Sequence, residues 1–263
     1  MKICARNLSF GYGGNLLFDQ FSADFDTAGA GRPLVILGPS GCGKTTLLKL
    51  LGGLLIPGKG RIIYSCGAVQ NETVQMTIEG GDSGPLAVTP KTAFMFQEPR
   101  LLPWLTVLEN ISLPLEKDLG REKARERAKH FLSLVFLDDK EGAYPGELSG
   151  GQAQRVSMAR AFAWSSPALF MDEPFQSLDI PLRISLMDMV LSLLEKGKRL
   201  LVAITHEPRD AIYMGGRIII LGKPGEGIVF DRAVDLDSED RAYGSPAAGE
   251  LEREIIKALK SQG

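Results

Sequence analysis

One short motif constrains the fold of this chain more than any other feature. It runs Gly38-Pro39-Ser40-Gly41-Cys42-Gly43-Lys44-Thr45 and matches G-x-x-x-x-G-K-[ST]. It stands between the apolar run Leu34 to Leu37 and the helix-forming stretch Thr46 to Leu51, which is the context that the motif requires. Glycines let such a loop curl until its N–H groups point at phosphate oxygens, and the helix N-terminus adds its positive end. The motif therefore predicts a loop that binds nucleotide phosphates.

Two side chains at the end of this loop predict further chemistry. Lys44 is expected to neutralise phosphate charge, and the Thr45 hydroxyl is expected to bind Mg²⁺. We expect the whole stretch to line the nucleotide site, through these residues: Gly38, Pro39, Ser40, Gly41, Cys42, Gly43, Lys44, Thr45 and Thr46.

Further apolar runs are bounded by Gly, Pro or polar residues and predict buried parallel strands. They are Leu169 to Met171, Leu200 to Ile204 and Ile218 to Leu221. Asp172 and Glu173 follow the first of these runs, and Thr205 and His206 follow the second. Because ligands bind beyond the carboxyl ends of strands in open α/β sheets, we expect these residues to meet the phosphate loop at one site.

The two carboxylates are expected to divide the chemistry. Asp172 is placed to hold the Mg²⁺, directly or through water. Glu173 is then free to orient and deprotonate an attacking water. A solvated strand end is the alternative interpretation of an Asp-Glu pair, but the phosphate loop favours the catalytic one.

A second glycine-containing helix start lies at Leu148-Ser149-Gly150-Gly151-Gln152. Ser149 is a favourable N-cap, and the two glycines leave N–H groups free to bind an anion. Taken alone, the pattern also fits an ordinary capped helix after a glycine-rich turn.

In order and spacing, these motifs resemble those of the ATP-binding cassette (ABC) family across about residues 2 to 222. The matching elements are Gly38 to Thr45 (Walker A), Gln97 (Q-loop), Leu148 to Gln152 (signature), Phe170 to Glu173 (Walker B), Ser177-Leu178-Asp179 (D-loop) and His206 (switch histidine). The resemblance implies an α/β fold: a P-loop NTPase core with a mainly parallel sheet, a peripheral antiparallel β piece and an inserted α-helical subdomain.

The resemblance also implies a homodimer in which two cassettes pair head to tail around ATP and Mg²⁺. Residues Ser149, Gly150, Gly151 and Gln152 of one protomer would then meet the nucleotide held by Lys44 of the other. Gln97 would contact Mg²⁺ and the attacking water, His206 the γ-phosphate, and Asp179 the opposite phosphate loop. Tyr12 falls where the family places an aromatic ring against adenine, with Phe10 as the competing candidate.

The resemblance also implies how the chain divides into domains. An ABC ATPase domain is expected over 1–222, with the nucleotide-binding core in 1–96 and 165–222 and the helical subdomain in 97–164. Residues 223–263 form a short C-terminal extension with an amphipathic helix around Leu251 and Ile255. Alternating apolar residues in the Gly60 to Lys91 stretch predict the peripheral antiparallel piece. Pro114 and Leu115 fit a helix stop.

The run Arg100-Leu101-Leu102-Pro103-Trp104 resembles cassettes of nitrate, sulfonate, taurine and thiamine-precursor importers. That resemblance implies integral membrane permease subunits as partners, and a periplasmic or extracellular substrate-binding protein indirectly. A single-cassette ABC ATPase of the iron–sulfur assembly type is the alternative function. The alternative for the run itself is that Leu101, Leu102 and Trp104 form the small core of the helical subdomain.

Charge and composition exclude some partners and compartments. A net charge of −2 gives no overall basic field for nucleic acid. Three cysteines at unrelated spacings argue against a disulfide framework and against a zinc site. The first ten residues do not resemble a secretory signal. We expect a cytoplasmic protein that is peripheral on the inner face of the cell membrane.

Overall fold

The structure of the chain is a computed structural model that describes residues 1–27, 31–69, 72–80, 91–176, 178–197 and 199–262, with the side chains of 66–69 and 72–75 outside this description. Its strands are β1 (Lys2–Tyr12), β2 (Asn15–Phe25), β3 (Leu34–Leu37), β4 (Lys59–Val69), β5 (Glu72–Glu79), β6 (Thr92–Met95), β7 (Ala168–Asp172), β8 (Leu200–Ile204), β9 (Arg217–Leu221) and β10 (Ile228–Ala233). Its helices are α1 (Lys44–Leu51), α2 (Val107–Leu119), α3 (Arg121–Leu134), α4 (Gly150–Ala163), α5 (Ile180–Gly197), α6 (Pro208–Met214) and α7 (Pro246–Lys260).

The predicted parallel strands form the centre of one six-stranded sheet, in the order β10-β9-β3-β8-β7-β6. Only β10, at one edge, pairs antiparallel. Alternate residues of β3 face different cores: Leu34 and Ile36 pack with α1, whereas Val35 and Leu37 pack with the helices on the other side. Both faces are therefore covered, which explains why these strands are continuously apolar. The predicted α/β fold is confirmed.

A second, antiparallel sheet has the order β2-β1-β4-β5. The expected antiparallel piece within Gly60 to Lys91 corresponds to β4 and β5, although residues 70–71 and 81–90 lie outside the described part of the chain. Strands β1 and β2 belong to the same sheet, which the sequence pattern did not predict. Phe18, Phe21 and Phe25 of β2 join the apolar core that surrounds α1.

Helices α2, α3 and α4 pack against one another beyond the end of β6. The prediction that Pro114 stops a helix is wrong, because α2 continues through it to Leu119. Proline cannot donate to the carbonyl four residues earlier. The cost of that missing bond is offset because Leu115, directly after the proline, is buried in the core. Thr106 also caps α2 and forms a capping box with Glu109.

The C-terminal segment packs onto the core through α7, whose buried residues Leu251 and Ile255 belong to the same apolar cluster as α4 and α5. No helix in the described ranges is long and apolar enough to cross a membrane. The division into domains at residue 222 stays a prediction.

Candidate active site

The loop between β3 and α1 has a backbone that requires glycine. Gly38, Gly41 and Gly43 have φ values of 152°, 79° and 100°, in the region that side chains disfavour. Space is also short, because a Cβ at Gly38 would stand 2.7 Å from the Leu221 carbonyl oxygen. At Gly43 a Cβ would stand 3.0 Å from the ring of Phe18. The loop is thus fixed in a curled form by both conformation and packing.

The Lys44 ammonium lies over this loop. Its Nζ donates to the carbonyl oxygens of Gly38 at 2.8 Å and Pro39 at 2.9 Å. No carboxylate in the described part of the chain forms an ion pair with it, so its charge is available to an anion at the loop. Cys42 is buried, and burial raises the pKa of its thiol. Cys42 therefore contributes to the loop as a neutral packing residue.

Two oxygen ligands for a cation lie side by side where the loop meets β7. The Thr45 hydroxyl donates to Asp172 Oδ2 at 2.7 Å. Asp172 is the last residue of β7 and is buried, which raises the pKa of its carboxyl, while the bond from Thr45 opposes that rise. A hydroxyl and a carboxylate are the hard oxygen donors that Mg²⁺ prefers, so these two residues fit the ion.

Glu173 occupies a strained position next to that pair. Its φ of 51° is left-handed, and its N–H donates to the Ile204 carbonyl of the neighbouring strand at 3.1 Å. Strain of this kind at a non-glycine residue is common at functional sites. Its Oε2 lies 2.9 Å from His206 Nδ1. Burial raises the pKa of the Glu173 carboxyl, and a higher pKa makes a carboxylate a more effective base.

Gln97 follows β6 at the same edge of the sheet, and no hydrogen bond in the described part of the chain joins it to Thr45 or Asp172. Its Nε2 donates instead to Gln176 Oε1 at 3.2 Å. Gln176 was not predicted as a site residue from the sequence. Its position in the turn between Glu173 and Asp179 was the only available signal, and a polar residue in a turn usually has no special role.

The predicted signature residues form a regular helix start. Ser149 caps α4: its Oγ accepts from the Gln152 N–H at 3.3 Å, and Gln152 Oε1 accepts from the Ser149 N–H at 2.9 Å. Gly150 and Gly151 form the first turn, where N–H groups have no partner within the helix. Among the described residues, Ser149 and Gln152 hydrogen-bond to each other and not to the phosphate loop of the same chain.

Asp179 lies at the start of α5, where its Oδ1 accepts from the Leu182 N–H at 3.0 Å. Its carbonyl accepts from the Arg183 N–H at 2.9 Å. Leu178 is buried, whereas Asp179 is exposed. The predicted D-loop also includes Ser177, which lies outside the described residues.

The two candidates for adenine stacking are in contact with each other. The rings of Phe10 and Tyr12 meet edge to face with centroids 5.1 Å apart, and Tyr12 is 52% exposed. Phe10 pairs across the strands with Phe18, whose ring borders the phosphate loop at Gly43. Tyr12 has the more accessible face, and the choice between the two rings stays a prediction.

These features define a class: a P-loop enzyme that binds ATP with Mg²⁺ and hydrolyses the ATP. The chain belongs to the ABC transporter family, whose model matches residues 25–176. It is 35% identical to an ATP-binding protein of Brucella abortus, over 90% of this chain and 83% of that protein. It is 38% identical to an aliphatic sulfonates import ATP-binding protein of Bacillus thuringiensis, over 81% of this chain and 74% of that one.

Its fold is also similar to a solved structure of the family. That structure is a dimeric ATP-binding cassette in a post-hydrolysis state bound to ADP and Pi. The TM-score is 0.71 at 27% identity, and the match covers 89% of this chain and 100% of that one. The chain is an ABC ATPase. Thr45 and Asp172 would hold Mg²⁺, which would supply positive charge to the phosphates, while Lys44 would add a second charge and the loop N–H groups would orient them.

Proposed function

We propose that this chain is the ATP-hydrolysing subunit of an ABC importer, which works as a homodimer against integral membrane permease subunits. One observation carries the importer assignment: Trp104, beside the Q-loop, is 70% exposed on a braced loop. The 38% identity to a sulfonate-import subunit supports it. A small anion such as nitrate, a sulfonate or taurine, or a thiamine precursor, is the proposed transported substrate. A substrate-binding protein outside the membrane would deliver it.

Within the homodimer, each ATP site is proposed to be shared. Lys44, Thr45 and Asp172 of one protomer hold the phosphates and Mg²⁺, and Glu173 accepts a proton from water. Ser149 to Gln152 of the second protomer close the site, with Asp179 against the opposite loop. Gln97 and His206 monitor the metal and the γ-phosphate. The local capping of Ser149 supports this arrangement, because among the described residues its side chain bonds to Gln152 and not to the phosphate loop of its own chain.

Mixing two inactive variants tests the shared site. A Lys44→Ala chain and a Ser149→Arg chain are each expected to lack ATP turnover. Their heterodimer has one composite site with both lesions and one with neither. Random pairing of equal amounts makes half of the dimers heterodimers, so we expect about a quarter of wild-type turnover if the sites act independently. The measurement is ATPase activity of the mixture against each variant alone.

Ser149→Arg also removes a helix cap, which costs about 1 kcal/mol. Ser245→Arg is the matched control, because Ser245 caps α7 in the same way, with its Oγ accepting from the Ala248 N–H at 3.0 Å. That chain alone is expected to stay active. Mixtures that form heterodimers but recover no turnover would contradict independent shared sites.

The loop that carries Trp104 is held from two sides. Asn110 is buried, accepts from the Leu102 N–H at 2.7 Å, and donates to the carbonyls of Leu102, Leu105 and Thr106. Arg160 of α4 donates to the Pro99 carbonyl at 2.8 Å and the Arg100 carbonyl at 3.0 Å. Such bracing fixes an exposed aromatic ring without burying it, and exposed aromatic anchors are typical of partner surfaces.

The Arg100 to Trp104 run had two interpretations, a partner surface and the core of the helical subdomain, and different residues of the run fit each of them. Leu101 is partly buried against the core, whereas Trp104 is not. Leu102 is half-buried. We therefore propose Trp104 as the permease contact and regard Leu101 as structural. Because the loop begins two residues after Gln97, a displacement of Trp104 would be transmitted to the ATP site through only a few residues.

Trp104→Glu should uncouple transport from hydrolysis. We expect transport by the reconstituted complex to fall about tenfold or more, since an aromatic anchor commonly carries that much binding energy. ATP hydrolysis by the isolated chain should persist, because Trp104 contributes little to the core. Leu102→Glu should act in the same direction, with some loss of stability because Leu102 is half-buried.

Leu54→Glu provides the matched control, because Leu54 is similarly apolar, is 51% exposed and lies in the turn after α1. If Trp104→Glu lowers both ATP hydrolysis and the melting temperature, the Arg100 to Trp104 run instead belongs to the core of the helical subdomain. Unchanged transport would show that Trp104 is not part of the permease contact.

Copurification with permease and binding-protein subunits, followed by identification of the bound ligand, tests the proposed substrate.

A further inference from the structure

A buried carboxylate joins the C-terminal segment to the catalytic half of the core. Asp210 lies on α6, four residues after His206, and is 3% exposed. Its Oδ1 accepts a hydrogen bond from the Tyr243 hydroxyl. The same oxygen lies 3.5 Å from the NH1 atom of Arg183 on α5. A buried carboxylate is costly unless its oxygens are paired, and both partners stabilise the charge of Asp210.

Arg183 continues this connection to the D-loop. Its NH2 atom donates to the Leu178 carbonyl at 3.1 Å, immediately before Asp179. The planar guanidinium has its donors in a fixed fork. One side of the fork contacts Asp210 and the other holds the backbone of the D-loop. A shift of the guanidinium towards Asp210 would therefore lengthen its bond to Leu178.

Tyr243 itself is firmly placed against α6. Arg241, two residues earlier, is 5% exposed and donates to four backbone carbonyls. These belong to Ile212, Gly215, Val234 and Leu236. One residue pair adds a further link, because Arg209 Nε of α6 lies 3.0 Å from Glu252 Oε1 of α7. The segment thus holds the tyrosine hydroxyl at a set position relative to α6.

We propose that Tyr243 is a positioning residue for ATP hydrolysis, acting through Asp210 and Arg183 to fix the D-loop backbone at Asp179. This inference rests on the proposed role of Asp179 at the shared site. Without the hydroxyl, Asp210 retains Arg183 as its charged partner and draws the guanidinium away from Leu178. The C-terminal segment then contributes to hydrolysis through this one tyrosine hydroxyl.

Tyr243→Phe in the full-length chain tests the inference. We expect the turnover number for ATP to fall about threefold to tenfold, as for a coupled contact next to a site, with KM for ATP changed less than about twofold. Tyr213→Phe is the matched control. Its hydroxyl donates to exposed Asp188 at 2.6 Å, and its ring lies 5.8 Å from that of Tyr243. Turnover by Tyr213→Phe should remain within about twofold of wild type.

A purely structural role would lower the unfolding midpoint of Tyr243→Phe without changing turnover per folded molecule. That outcome would overturn the proposal, as would equal turnover in the two tyrosine variants. A double-mutant cycle with Arg183→Gln tests the route. Tyr243→Phe should no longer lower turnover in the Arg183→Gln background. If the losses of turnover in the two single variants instead multiply in the double variant, Tyr243 does not act through Arg183.

Asp179→Asn, which retains a side chain able to cap α5, separates this inference from the proposed function. Full turnover in Asp179→Asn would overturn the role of the D-loop at the shared site, and the inference with it. Reduced turnover in Asp179→Asn together with wild-type turnover in Tyr243→Phe would overturn the inference alone. Reduced turnover in both, with Tyr213→Phe unaffected, supports both.

Discussion

Replacing Glu173 with glutamine is expected to lower the turnover number for ATP by about two to three orders of magnitude, the contribution typical of a general base. An amide cannot accept the proton of the attacking water. MgATP affinity should stay near the wild-type value, because Lys44, Thr45 and Asp172 are unchanged. The substitution is nearly isosteric, so the contact with His206, now 2.9 Å from the carboxylate, can persist.

The measurement is single-turnover hydrolysis together with nucleotide titration on the same preparation. Glu195→Gln is the matched control, since it removes the same charge from an exposed position on α5. Its turnover should be that of the wild type. Near-wild-type turnover in Glu173→Gln would assign the base to another group. Loss of MgATP binding in Glu173→Gln would instead indicate that the loop around residue 173 had collapsed.

The parts of the site that the sequence predicted are those encoded locally. A glycine that must adopt a positive φ, such as Gly41 or Gly43, is visible in the motif, because few other residues can take its place. The strands β7 and β8 were recognisable because a sheet covered on both faces leaves continuous apolar runs. Since parallel strands end at one edge, the meeting of Thr45 with Asp172 followed from their positions after strands.

Other features depend on contacts between distant residues and leave no local pattern. Tyr243 bonds Asp210 across 33 positions, and nothing in either neighbourhood marks the pair. The bond between Gln97 and Gln176 is of the same kind. The error at Pro114 has a different cause: local proline chemistry predicted a stop, and burial of the following turn of α2 outweighed it.

Lys44→Ala is expected to weaken MgATP binding by about a hundredfold or more. Hydrogen bonds to a charged group contribute about 1.5–3 kcal/mol each, and the ammonium can donate to two phosphate oxygens. In the structure its donors are used on the carbonyls of Gly38 and Pro39, 2.8 and 2.9 Å away. When ATP binds, the ammonium exchanges these neutral carbonyls for charged phosphates. The alanine variant loses the binding free energy that comes from this exchange.

That exchange also predicts how the variant will behave without nucleotide. Removing the ammonium leaves two loop carbonyls without a donor, so the alanine chain should be slightly less stable even before ATP is added. Lys49→Ala, on the same helix, is the control: it removes an equal charge in the last turn of α1 without touching the loop. Its affinity should change by no more than a few fold. Calorimetric titration with MgATP compares the two variants, and undiminished affinity and turnover in Lys44→Ala would rule out this loop as the nucleotide site.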